Sequence, residues 1–68
     1  MIAVTLNGER RELTADTVEA AVRASGVVSA ERGVAVAVDG EVVPRGAWER
    51  TRLEEGQRVE VLRAVQGG

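Results

Sequence analysis

Apolar and polar positions alternate at the start of the chain. Ile2, Val4 and Leu6 fall on one side of an extended segment and Ala3 and Thr5 on the other, which predicts a half-buried strand. Asn7-Gly8 follows, a pair that suits a two-residue hairpin turn because both central positions take positive φ. The return strand runs from Glu9 to Leu13 or Thr14, with Leu13 turned inward. The period then changes. Asp16-Thr17-Val18-Glu19 reads as a capping box, with Asp16 as N-cap and Glu19 at the third helical position. The helix runs to about Ser25 and presents Val18, Ala21 and Val22 as one stripe. Gly26 stops it, and Val27 is expected to meet Val22, the apolar contact of a Schellman ending.

Residues 29–33 read as a polar connection ending at Gly33. Val34, Val36 and Val38 alternate with Ala35 and Ala37 as a third strand. Asp39-Gly40 is a second hairpin signal. Glu41-Val42-Val43 is a short strand stopped by Pro44, which cannot donate to a ladder and suits a sheet edge. Arg45 to Glu49 forms a turn or single helical turn carrying Trp48, the one aromatic residue. Leu53 is an isolated apolar anchor before a turn at Glu55-Gly56. A last strand runs from Arg58 to Ala64 or Val65, with Val59 and Val61 inward. The order β-β-α-β-β-β, with one amphipathic helix on one face of a mixed sheet, predicts an α+β chain of the β-grasp, or ubiquitin-like, class. Residues 1–68 are expected to form one domain, with 65–68 a flexible tail.

Composition narrows the chemistry. The chain has 68 residues and neither Cys nor His, which leaves no zinc-type metal site, no Cys or His nucleophile and no disulfide. A chain this short buries only about 60% of its unfolded surface and must fold on compact packing alone. All nine basic residues are Arg. Without Lys the chain offers no ε-amine for isopeptide linkage. The Arg residues are scattered among eleven acids without interleaved aromatics, which argues against a nucleic-acid surface. No secretory leader and no membrane-length apolar run is seen, so the expected location is the cytoplasm.

The chain closes on Gln66-Gly67-Gly68 directly after an apolar run. A terminal Gly pair arises by chance in roughly 0.5% of chains. Having no Cβ, such a tail is thin enough to thread a narrow channel and bring an α-carboxylate up to a bound nucleotide. The plain alternative is a frayed terminus.

The second half of the chain carries a resemblance. Val38–Arg45 (VDGEVVPR), Trp48 three residues past that Arg, Leu-x-x-Gly at Leu53–Gly56, Val-Glu-Val at Val59–Val61 and the Gly-Gly end together resemble the ThiS family, the bacterial sulfur carriers of thiamine biosynthesis. The first half matches in pattern more than in identity. Gln57 stands where the family commonly has Asp, a departure read here as affecting turn chemistry alone. The resemblance implies that an activating enzyme adenylates the Gly68 carboxylate with ATP. A persulfide from another protein then converts it to a thiocarboxylate, whose sulfur passes to thiazole synthase. No bound cofactor is implied. The residues agree on one point independently: a chain without Cys can hold transferable sulfur only at its terminus.

Gly68 is thus the expected reacting end, with Gly67 and Gln66 as its tail. Pro44 and Arg45 read as an edge-strand stop followed by a solvated Arg, and Trp48 as a lid over the core. If Val59 and Val61 pack on the helix, Leu62 and Ala64 point the other way, sharing that side with Ala3, Ala35 and Ala37. This small-residue face is the expected docking surface for the activating enzyme and the synthase. Other sulfur carriers, serving molybdopterin, tRNA thiolation or cysteine synthesis, remain open, as do a ubiquitin-like protein modifier and a non-carrier interaction domain. An enzyme in its own right is not expected, because no nucleophile–base pair is visible.

Overall fold

The computed structural model describes residues 1–27 and 33–63. The expected elements are there: strands β1 (Ile2–Leu6) and β2 (Glu9–Leu13), helix α1 (Val18–Ala24), strands β3 (Val34–Val38) and β4 (Glu41–Val43), a 3₁₀ turn at Arg45–Ala47, and strand β5 (Arg58–Arg63). The strands form one sheet in the order β2-β1-β5-β3-β4. β5 runs parallel to β1, and every other pairing is antiparallel. The last strand therefore occupies the centre of the sheet, and β4, ended by Pro44, lies at an edge. The polar connection at 29–33 lies mostly outside the described residues, as do the strand positions Ala64 and Val65.

One face of the sheet meets α1. Val4, Leu6, Val36, Val59 and Val61 from the strands pack with Val18, Ala21 and Val22 of the helix, joined by Leu13, Trp48 and Leu53. Strand alternation selects these residues, and the i, i+3, i+4 stripe selects the helical ones. Among the described residues no polar or charged residue is buried, so the core is held by apolar packing. The lid reading of Trp48 fits the structure, where the indole is 2% exposed and its Nε1–H donates to the Val43 carbonyl at 3.0 Å.

The Pro-Arg-x-x-Trp run has a local cause. Pro44 precedes the 3₁₀ turn with φ −62°, the value its ring imposes. A 3₁₀ turn has three residues per repeat, so side chains three apart stack. Arg45 accordingly lies over the Trp48 ring at 4.7 Å. It is exposed, as expected, yet it is more than a solvated cation, because the guanidinium covers the outer side of the lid.

The helix start corrects the capping box. Thr17, not Asp16, is the N-cap: it is extended at φ −111°, ψ 158°, and its hydroxyl accepts from Ala20 N at 3.2 Å. Glu19 is therefore the second helical residue, and it pairs with Arg23 one turn on at 3.3 Å. Asp16 is drawn elsewhere. Its carboxylate takes Arg52 at 2.8 Å, and its carbonyl accepts from Leu53 N. At the other end Gly26, with φ 89°, terminates the helix. Val27 packs against the core cluster that includes Val22.

Candidate functional site

The second face of the sheet carries no helix. Register places its residues in rows. Leu62 lies opposite Ala35, and Glu60, Ala37 and Val42 lie abreast across β5, β3 and β4. Leu62 is 62% and Val42 75% exposed, and with Met1 they are the exposed large apolar residues among those described. Ala35 is exposed and Ala37 half-buried. Leu62, Ala35 and Ala37 thus come together as expected. Val42 joins them and was missed. Its signal was in the sequence: once Val43 pairs with Val36 on the core side, alternation turns Val42 outward.

The other half of this face differs. Thr5 lies between Arg10 and Arg58, and Ala3 opposite Glu12. Ala3 does not belong to an open apolar surface, which corrects the expectation. It is 6% exposed, and both its backbone groups are taken: its N–H donates to Glu55 Oε1 at 3.0 Å, and its carbonyl accepts from Gly56 N at 2.7 Å. The face is therefore divided, with charge over β2, β1 and the Arg58 and Glu60 positions of β5, and a small apolar patch of Leu62, Ala35, Ala37 and Val42 beside them.

β5 leads out past this patch. It is held at both ends by hairpin residues in left-handed backbone. At its start, Asp39 (φ 49°) accepts the Arg58 amide at 3.0 Å. At its far end, Asn7 (φ 50°) accepts the Val61 amide at 2.8 Å and donates to the Val61 carbonyl at 3.2 Å. Gln57 does more than shape a turn: it accepts from Glu54 N at 2.8 Å and donates to Asp39 Oδ2 at 3.1 Å, linking the Gly56 turn to the second hairpin. Ala64, Gln66, Gly67 and Gly68 lie outside the described residues.

A groove between β2 and α1 is lined by Leu13, Thr17, Ala20 and Ala24 with Glu12, Glu19 and Arg23 at its rim. It lies on the helix side, away from the patch and from the end of β5. No helix among the described residues is long and apolar enough to cross a membrane.

Comparison with known proteins agrees with this geometry. The ThiS family model matches residues 4–68, a span that includes both the patch and the Gly-Gly end. A crystal structure of the thiamine biosynthesis protein ThiS from Geobacter metallireducens superposes with a TM-score of 0.74 at 30% identity, covering 98% of this chain and 100% of that one. A search of the curated proteins finds no match.

Proposed function

The chain belongs to the ThiS family, and from that premise we propose that it is a sulfur carrier for thiazole formation in thiamine biosynthesis, a protein co-substrate and not a catalyst. The observation that carries this reading is the family match reaching Gly68, in a chain whose last strand, β5, lies at the centre of the sheet. The Gly68 carboxylate attacks the α-phosphorus of ATP held by the activating enzyme, giving an acyl-adenylate and pyrophosphate. A carboxylate is a poor electrophile, and AMP is a good leaving group. A protein persulfide displaces AMP to form an acyl disulfide. A thiol then cleaves its S–S bond, leaving the thiocarboxylate on Gly68 and a disulfide between the thiol and the donor. Thiazole synthase takes the sulfur, in the cytoplasm. The chain contributes no Cys or Lys that would compete for the activated acyl group.

The apolar patch of Leu62, Ala35, Ala37 and Val42 is the docking surface in this reading. Leu62 lies on β5, whose sequence runs on to Gly68, so a partner seated there meets the chain a few residues before its reacting end. Incubation with the activating enzyme, ATP and a persulfide donor, followed by intact mass and fragmentation, tests the chemistry. One sulfur is expected to replace one oxygen at Gly68. Gly67→Ala adds a Cβ where the tail must pass a narrow channel, so activation is expected to fall while the melting temperature holds. Sulfur placed elsewhere, or Gly68-linked conjugates to other proteins instead of a thiocarboxylate, would overturn the reading.

A further inference from the structure

We propose that Asn7 is a positioning residue for the reacting tail: its side-chain amide substitutes for the strand that β1 no longer supplies and fixes the end of β5 from which the tail departs. The inference rests on the reading of Gly68 as the reacting end.

β1 and β5 are parallel, with Thr5 beside Arg58 and Leu6 beside Val59. The pairing is carried by Thr5 N donating to the Gln57 carbonyl and Asn7 N donating to the Val59 carbonyl, both at 2.9 Å. The next bonds of a parallel ladder would run from the Val61 N–H to the Asn7 carbonyl and then from backbone beyond Asn7 to the Val61 carbonyl. That backbone turns away into the hairpin, with φ 50° at Asn7 and 85° at Gly8. β5 continues to Arg63 and would lose its β1-side partner from this point. On its other side β3 pairs it as far as Arg63, opposite Val34.

Asn7 fills the gap. A primary amide offers the same donor and acceptor as a peptide group. Its Oδ1 takes the Val61 N–H at 2.8 Å and its Nδ2 gives to the Val61 carbonyl at 3.2 Å. One residue therefore makes three hydrogen bonds to β5, one from its backbone and two from its side chain. Asn is one of few residues that accept a left-handed turn position and also carry an amide on a short stem. Asp39 tolerates the same backbone and bonds the Arg58 amide, but a carboxylate there could not also donate to a carbonyl.

Val61 is thus tied on both sides, by β3 and by the Asn7 side chain. Leu62, the adjacent residue, belongs to the docking patch. The clamp therefore holds the patch and the described end of β5 in one fixed relation. A partner bound to the patch receives the tail at a defined position and direction, which lowers the cost of bringing a chain end to a reacting nucleotide.

Asn7→Gly tests this, because Gly keeps the turn and removes the clamp. Asn7→Asp keeps the turn and the acceptor but places a carboxylate against the Val61 carbonyl. Two measurements are made on each full-length variant. In hydrogen exchange, the Val61 amide of Asn7→Gly is expected to exchange at least roughly tenfold faster, with Val4 and Val36 in the core unchanged. In steady-state thiocarboxylate formation with the activating enzyme, kcat is expected to fall roughly tenfold with KM held, because the patch is intact and only the tail is misplaced. Asn7→Asp is expected to fall between Asn7→Gly and the unchanged chain in both. A role in stability alone would instead speed exchange throughout the core and leave kcat of the folded fraction unaltered; that result overturns the proposal. So does unchanged exchange at Val61. If the unchanged chain takes no sulfur on Gly68, the functional reading fails and the tail-positioning role fails with it. The Val61 exchange then still shows whether the clamp exists.

Discussion

Asp39 and Gln57 meet where the second hairpin touches the start of β5. The Arg58 amide and then the Gln57 side chain donate to the Asp39 carboxylate and hold it below the ordinary carboxylate range. A folded-state pKa below the unfolded one gives stability that is present above the unfolded value and lost as pH falls through the folded value. Asp39→Asn keeps the tolerance of positive φ and an acceptor for Arg58 but removes the titration. As pH falls below about 5, its melting temperature is therefore expected to fall less steeply than that of the unchanged chain. Acid limbs of equal slope would show that the Arg58 and Gln57 contacts do not discriminate the charged form. At this scale the sequence was half legible. Asn7-Gly8 and Asp39-Gly40 spelled their turns through local backbone preference. The second task of each side chain, bonding β5 across 54 and 19 positions, leaves no local mark.

The helix start poses a choice between adjacent cap residues. Asp16 and Thr17 both suit an N-cap, and Glu19 completes a box with Asp16 in sequence. Tertiary structure decides for Thr17. Leu53 N bonds the Asp16 carbonyl, Thr17 bridges to Arg52, and the Arg52 guanidinium takes the Asp16 carboxylate. Arg52 and Leu53 at the end of the Arg45–Leu53 crossover, with Arg52 36 positions from Asp16, set this register, so no window around the helix reveals it. Thr17→Ala is expected to cost about 1 kcal/mol through loss of the Ala20 N–H acceptor. Asp16→Ala removes an exposed ion pair and is expected to cost between about 0 and 1 kcal/mol. Urea unfolding of the two variants measures the difference, and the reverse order would restore Asp16 as the cap. The strands were easier to read than this cap because period two and turn dipeptides are local signals.

At the scale of the whole molecule, the sheet separates folding from docking by strand parity. Successive β5 residues face opposite ways: Val59 and Val61 enter the core, while Glu60 and Leu62 face out. That parity was legible from the alternation of β5 alone. The limits of the open patch were not, because Ala3 is withdrawn by the Glu55–Gly56 loop and Val42 enters only through the β3–β4 register. Parity gives a paired expectation. Val61 is 5% exposed, and Val61→Ala is expected to cost about 1.5–3 kcal/mol while leaving the patch in place. Leu62 is 62% exposed, so its replacement removes little from the core. Leu62→Arg places a charge at the centre of the proposed interface, where desolvating it without a partner opposes binding. Its melting temperature is expected to stay near that of the unchanged chain, and its affinity for the activating enzyme, the synthase or both to fall by more than about tenfold, or about 1.4 kcal/mol. Val42→Arg, on the same face and more exposed, is expected to act alike and more weakly, since it lies on the edge strand with β3 between it and β5. Thermal melts beside titration with each partner read both quantities. If Leu62→Arg unfolds the chain, the face assignment is wrong. If it folds and binds both partners normally, the patch is not where they dock, and an interface must be sought on the charged half of the sheet or along the groove between β2 and α1.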